Sequence, residues 1–139
     1  MLNQAIITPY LPDPAASFHP HARRVGDFIY ISGLIARLAG KDKIPGVEIN
    51  SEGKVDSYDI EAQTRAIFKN LKYILEAANS SMDKVIDVTV FLTNIEKDFK
   101  IFNKIYGEYL GEVNPCRTTV EVSRFPSPVN IEMKIIAIA

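Results

Sequence analysis

The chain has 139 residues, 47% of them apolar and 24% charged, which suits a single globular domain, residues 1–139, with a real hydrophobic core. A net charge of -1 with no run of like charges argues against a dedicated nucleic-acid binder, and the single cysteine, Cys116, excludes an internal disulfide. No stretch approaches the roughly 20 apolar residues of a membrane helix. The opening MLNQAIITPYLPDP lacks a basic region followed by a long apolar one, so a cytoplasmic location is expected.

In chain order, Ala5 to Thr8 reads as a short strand, stopped by the prolines of TPYLPDP. DFIYISG, Asp27 to Gly33, is aromatic and β-branched and ends on a glycine, as a strand does. LIARLAGKDKIPG is expected to be a long loop, and GVEINSEGKV a strand and turn punctuated at Glu52 and Gly53. From Asp59 to Ala78 the period lengthens. Ile60, Gln63, Ile67, Leu71, Ile74, Leu75 and Ala78 make the stripe of an amphipathic helix, with Asp56 or Ser57 as its cap and Asn79 in the left-handed position after it.

DKVIDVTVFLTN follows as a strand with Ile86, Val88, Val90 and Leu92 on one face. A second helix is expected from Asp98 to Leu110, carrying Phe99, Phe102, Ile105, Tyr106 and Tyr109 on its stripe and closed by Gly111. NPCRTTVEVSRFPSPVNIEMKIIAIA ends the chain as two strands joined by a proline-rich turn. The predicted class is α+β, a two-layer sandwich with two helices on one face of a sheet. In the last strand Val129, Ile131, Met133, Ile135 and Ala137 point one way. Asn130, Glu132, Lys134, Ile136 and Ile138 point the other, starting polar and ending apolar, so a partner subunit is expected to cover that face.

Two charged residues in these last strands need a reason. Arg117 enters its strand from a loop, where a guanidinium fork is placed to take a carboxylate, or else it is a surface arginine bonded to a neighbouring glutamate. Glu132 lies between an isoleucine and a methionine. It is either a desolvated carboxyl fit for proton transfer or a surface glutamate paired with Lys134 or Arg117. Arg37, in the apolar LIARLAG, is more notable than Arg23 and Arg24, which read as solvated charge. His19 and His21 form an HPH pair, but no cysteine or acidic cluster at ligand spacing accompanies it, so no metal is expected. Cys116 reads more readily as a small apolar residue than as a nucleophile, and phosphate-cradling glycine motifs are absent.

Taken in order, VGDFIYISG, LEAANSSMDKVIDVTVFLTN, DFKIFNKIYGEYL, NPCRTTVEV and VNIEMKIIAIA resemble the Rid (reactive intermediate deaminase) family from about Phe18 onward. The most specific element is the PxR(T/S)xV stretch, Pro115 to Val120, followed by Ile131 to Met133. Within the family the chain looks most like the 2-aminomuconate deaminases, through Pro20 and His21, ARRVGDF, the long loop ending in PGVEI, and DIEAQTRAI with YGEYL.

The resemblance implies a chorismate-mutase-like fold with a mixed sheet, and a homotrimer whose sheets form a barrel with sites between subunits. It implies hydrolytic loss of ammonia from an enamine or imine of a small carboxylate, with no cofactor. Arg117 would clamp the substrate carboxylate and Glu132 would handle the water, while Ser32, Gly33 and Cys116 line the pocket. His19 stands where many Rid proteins place a tyrosine over the ligand, and the loop after Gly33 is longer than in the general deaminases. Arg37, or else Arg24, is the candidate clamp for a second carboxylate. A general imine deaminase, a ligand-binding Rid protein without turnover, and a ribonuclease are the competing readings.

Overall fold

The computed structural model describes residues 1–139, apart from the side chain of Ala16. Eight strands and two α-helices follow in order: β1 (Asn3–Ile6), β2 (Ala22–Val25), β3 (Phe28–Leu34), β4 (Val47–Ile49), β5 (Val55–Tyr58), α1 (Ile60–Ala77), β6 (Val85–Leu92), α2 (Ile95–Leu110), β7 (Cys116–Glu121) and β8 (Ile131–Ile138). Six of the strands form one mixed sheet in the order β1-β2-β3-β8-β6-β7, and β4 and β5 pair as a separate hairpin. Only the β6–β7 pair of the large sheet is parallel, and α2 makes the crossover between them. Helix α1 packs on β3 and β8 and α2 packs on β6, so both lie on one face, as the two periodicities require.

The chain departs from the sequence expectations in several places. The first strand runs Asn3–Ile6 rather than from Ala5, because Asn3 through Ile6 ladder with Val25 through Ala22. That partner, β2, has no clear signal in ARRV, where two arginines dilute a four-residue strand. Helix α1 is capped by Asp59, whose carboxylate accepts from the Glu61 and Ala62 amides, whereas Asp56 and Ser57 belong to β5. Helix α2 begins at Ile95, a turn before Asp98, because the Asn94 side chain caps it by accepting from the Lys97 amide. In β6 the register shifts between Val85 and Asp87, turning Ile86 outward and putting Val85 in the core. Asn79 takes the left-handed backbone expected of it, with φ 56°.

In β8, Ile131, Met133, Ile135 and Ala137 are fully buried beneath the helices. Asn130 sits just before the strand rather than on its open face. It forms a buried reciprocal pair with Gln63, whose amide nitrogen donates to Asn130 Oδ1 at 3.0 Å while the Asn130 amide donates to Gln63 Oε1 at 3.0 Å. This pair ties the proline-rich turn to α1 and fixes where β8 starts. On the other face Phe28 pairs with Ile138 and Tyr30 with Ile136. Phe28, Tyr30, Ile138 and Val120 expose large apolar surface there.

Candidate active site

A cavity of about 420 Å³ opens where the end of β3 and the start of β8 meet the segment between β1 and β2. Of the residues expected from sequence, Glu132, Ser32, Gly33, Arg37 and His19 all line it. The β3–β8 ladder runs from Phe28↔Ile138 to Ile31↔Ile135 and resumes at Leu34↔Met133, so Ser32 and Gly33 form a bulge. The bulge faces Glu132. A side chain at Gly33 would begin 2.8 Å from the Glu132 carboxyl carbon and from Oε2, so the glycine leaves the room that the carboxyl occupies.

Half-buried Glu132 has its carboxyl pushed above the usual glutamate range by desolvation. Two residues on, Lys134 shares its face, donates to the Ile31 carbonyl at 2.5 Å, and is held below the usual lysine range by burial. No ion pair involves Glu132 among the described residues, so neither alternative pairing, with Lys134 or with Arg117, forms.

The segment Leu11–His19 walls one side of the cavity, and His21 pins it. Its Nδ1 accepts the Thr8 amide at 3.1 Å and its Nε2 donates to the Pro12 carbonyl at 2.8 Å. Ser32 adds a second tie, its hydroxyl donating to the Pro20 carbonyl at 2.7 Å. His21 is therefore a buried strut, and His19 is exposed at the rim with Nδ1 near the Pro20 carbonyl. Among the described residues no cluster of three potential metal ligands occurs.

Arg37 reaches the cavity from the loop after β3, and Asn70 of α1 secures that loop, donating to the Arg37 carbonyl at 2.8 Å. Asn70 is 1% exposed and also lines the cavity. It is not among the residues expected from sequence, although it is a polar residue between Ile67 and Ile74 on an apolar stripe. Arg24 is elsewhere: its Nε donates to the Gly26 carbonyl in the β2–β3 turn.

Arg117 and Cys116 do not join this cavity within one chain. Arg117 lies opposite Val88, a core residue, and so projects toward the helices. There its Nη1 donates to Asn103 Oδ1 at 2.7 Å, over the rings of α2. Glu132 lies opposite Phe91, on the other face of the sheet. Cys116 is exposed at the start of the edge strand β7. A larger cavity, about 820 Å³, lies under the loop before β4 and is lined by none of the expected residues.

A carboxyl raised by desolvation, seated over a backbone bulge in a cavity that also holds an arginine, has the chemistry to move a proton beside an anionic molecule. The profile of the family described as Endoribonuclease L-PSP matches residues 9–139, nearly the whole chain. The chain belongs to the Rid family. A RutC family protein of Pyrococcus abyssi is 39% identical over 138 residues, covering 99% of this chain and 98% of its own. The structure of YyfA from Yersinia pestis, described as of the conserved Rid protein family, matches at TM-score 0.80 with 32% identity, over 99% of this chain and 100% of that one. That of E. coli TdcF with bound serine matches at TM-score 0.79 with 27% identity, over 98% of each. The fold of this Rid protein is the α+β fold of those structures, and Rid proteins are in general enamine and imine deaminases.

Proposed function

We propose that this Rid protein hydrolyses the enamine or imine of a small carboxylate, with 2-aminomuconate or a related unsaturated amino dicarboxylate as substrate. The observation that carries the proposal is the Glu132 carboxyl, desolvated, without an ion-pair partner among the described residues, and seated over Gly33 in a cavity shared with Arg37. The enamine first tautomerises to the imine, its nitrogen losing a proton as its carbon gains one. Water then adds to the C=N carbon, with Glu132 taking one of its protons and passing it to the nitrogen. The carbinolamine collapses to a 2-oxo acid as Glu132 moves the hydroxyl proton to the departing amine, so water is consumed and ammonia released. No group beyond water enters the balance.

Arg117 supplies the carboxylate clamp in this proposal, delivered from a second subunit. Its position on the far face of its own sheet and the uncovered apolar face of Phe28, Tyr30 and Ile138 support a homotrimer with sites between subunits. Cys116, beside it in sequence, would come with it. Arg37 is the second clamp, which favours a dicarboxylate, and His19 takes the rim position over the ligand. The lone cysteine suits the reducing cytoplasm that we propose as its location, and among the described residues no helix is long and apolar enough to cross a membrane. One observation favours a second reading: TdcF was crystallised with serine, a small monocarboxylate, which suits a general deaminase of amino-acid-derived imines. Cleavage of RNA draws no support from a net charge of -1.

Ammonia release from freshly generated 2-aminomuconate, beside the imine of a simple amino acid, tests the proposal. Turnover of the dicarboxylate is expected to fall roughly 10²–10⁴-fold in Glu132→Gln and to collapse likewise in Arg117→Ala. Arg37→Glu should damage the dicarboxylate far more than the monocarboxylate; equal loss on both removes Arg37 as the second clamp. Turnover of the simple imine alone selects the general deaminase. A folded protein that turns over neither is a binding protein, and the proposal fails.

A further inference from the structure

Arg117 is an exposed arginine with no carboxylate in ion-pair reach among the described residues, yet its guanidinium is held. Nη1 donates to Asn103 Oδ1 at 2.7 Å. The guanidinium carbon stands 4.7 Å from the centroid of the Tyr106 ring, with the rings of Phe99 and Phe102 at 5.6 and 5.9 Å. Residues 99, 102, 103 and 106 follow one another at helical spacing, so a single face of α2 presents the amide and the rings together. Phe102 and Tyr106 are buried, which makes that face rigid. The same cleft is lined by Asn103, Tyr106, Gly107, Asn114 and Arg117.

The chemistry of the holding group matters. An amide oxygen accepts one of the five N–H donors of a guanidinium and leaves its charge uncancelled. A carboxylate in its place would consume the charge, and an apolar side chain would leave the arginine to its rotamers. We propose that Asn103 is a positioning residue: with the Tyr106 face, it presets the Arg117 fork so that the remaining donors stand open to a planar carboxylate. The assignment rests on the reading of Arg117 as the substrate clamp. Its signature is a change in affinity for carboxylate with little change in the chemical step.

Steady-state kinetics on the simple amino-acid imine are compared for wild type, Asn103→Asp, Asn103→Leu and Asn103→Gln, with Arg117→Ala as the benchmark and circular dichroism for fold. Exposed Asn103 sits outside the core, so the variants are expected to fold. Asn103→Leu should raise KM about two- to tenfold through the lost ordering of one long side chain. Asn103→Asp should raise it by at least about tenfold, because a permanent carboxylate competes with the substrate for the same donors. Asn103→Gln should recover part of the loss, and kcat should stay near wild type in all three. Calorimetric titration with serine repeats the comparison without turnover and should show the same order. Unchanged KM and serine affinity in all three variants, while Arg117→Ala loses both, overturns the role of Asn103 alone. Full activity in Arg117→Ala overturns the clamp itself, and with it the premise.

Discussion

Gly33 has no side chain, and the Glu132 carboxyl fills the space one would take. The two residues are 99 positions apart in sequence but meet because a bulge at Ser32 and Gly33 turns the end of β3 toward β8. Gly33→Ala therefore forces the carboxyl aside. Activity is expected to drop about 10²-fold, the cost of displacing a reacting group by about 1 Å, with the circular dichroism spectrum unchanged; a fully active variant would show that the carboxyl need not sit there. Glu132 makes a second, opposite prediction about stability. Its folded-state pKa is raised, so the charged form is disfavoured by folding. Wild-type stability then declines as pH rises from the ordinary glutamate value through the raised one, whereas Glu132→Gln does not titrate. The variant should melt higher than wild type at pH 7 and lose that advantage at acid pH, measured by thermal denaturation across pH. Equal melting at all pH values would mean that the carboxyl is not desolvated. Arg117 and Glu132 were both legible in the sequence as charges out of keeping with their strands. Asn70 and Asn103 were not, because what they do depends on which backbone or guanidinium lies across the fold from them.

At the scale of elements, the long loop after β3 is moored to α1 at both ends. Asp59 caps the helix and its amide donates to the Gly46 carbonyl at 2.8 Å, so one residue fixes both the helix start and the end of the long loop. Gly46 has φ +70°, and an added side chain would begin 2.6 Å from the Asp59 carbonyl, which is why that junction takes glycine. Asp59→Ala should cost about 1 kcal/mol and lower the melting temperature by about 4 °C, with kcat unchanged. A loss of kcat without loss of stability would mean that the loop's mooring governs the chemistry. Both helices and strands β3, β6 and β8 were readable because long periodic runs carry strong signals. β2 escaped, since four residues with two arginines make no pattern until β1 and β3 flank them. The bulge at Ile86 escaped for a related reason: alternation alone assigns Ile86, and only the ladder with β8 shows that Val85 took its place.

For the whole molecule, one chain sets Glu132 and Arg117 on opposite faces of one sheet. Glu132 and Arg37 lie at one cavity, and Arg117 stands apart on its α2 platform. None of the three has a countercharge within ion-pair reach among the described residues. Beside them, an apolar sheet face of Phe28, Tyr30 and Ile138 is left without cover. The homotrimer proposed above would account for both facts, and light scattering should then give a mass near three times the 15.5 kDa of the chain. A monomer at micromolar concentration would remove the means by which Arg117 is delivered.

Subunit complementation tests the central claim most directly. Arg117→Ala and Glu132→Gln are each expected to be inactive alone. Coexpressed and purified as mixed trimers, each hybrid regains one intact site, formed by Arg117 of one chain and Glu132 of its neighbour. Random assembly at equal amounts restores about a quarter of the wild-type sites, and ammonia release should recover to that level. Activity no higher than that of the separate variants would contradict a site shared between subunits.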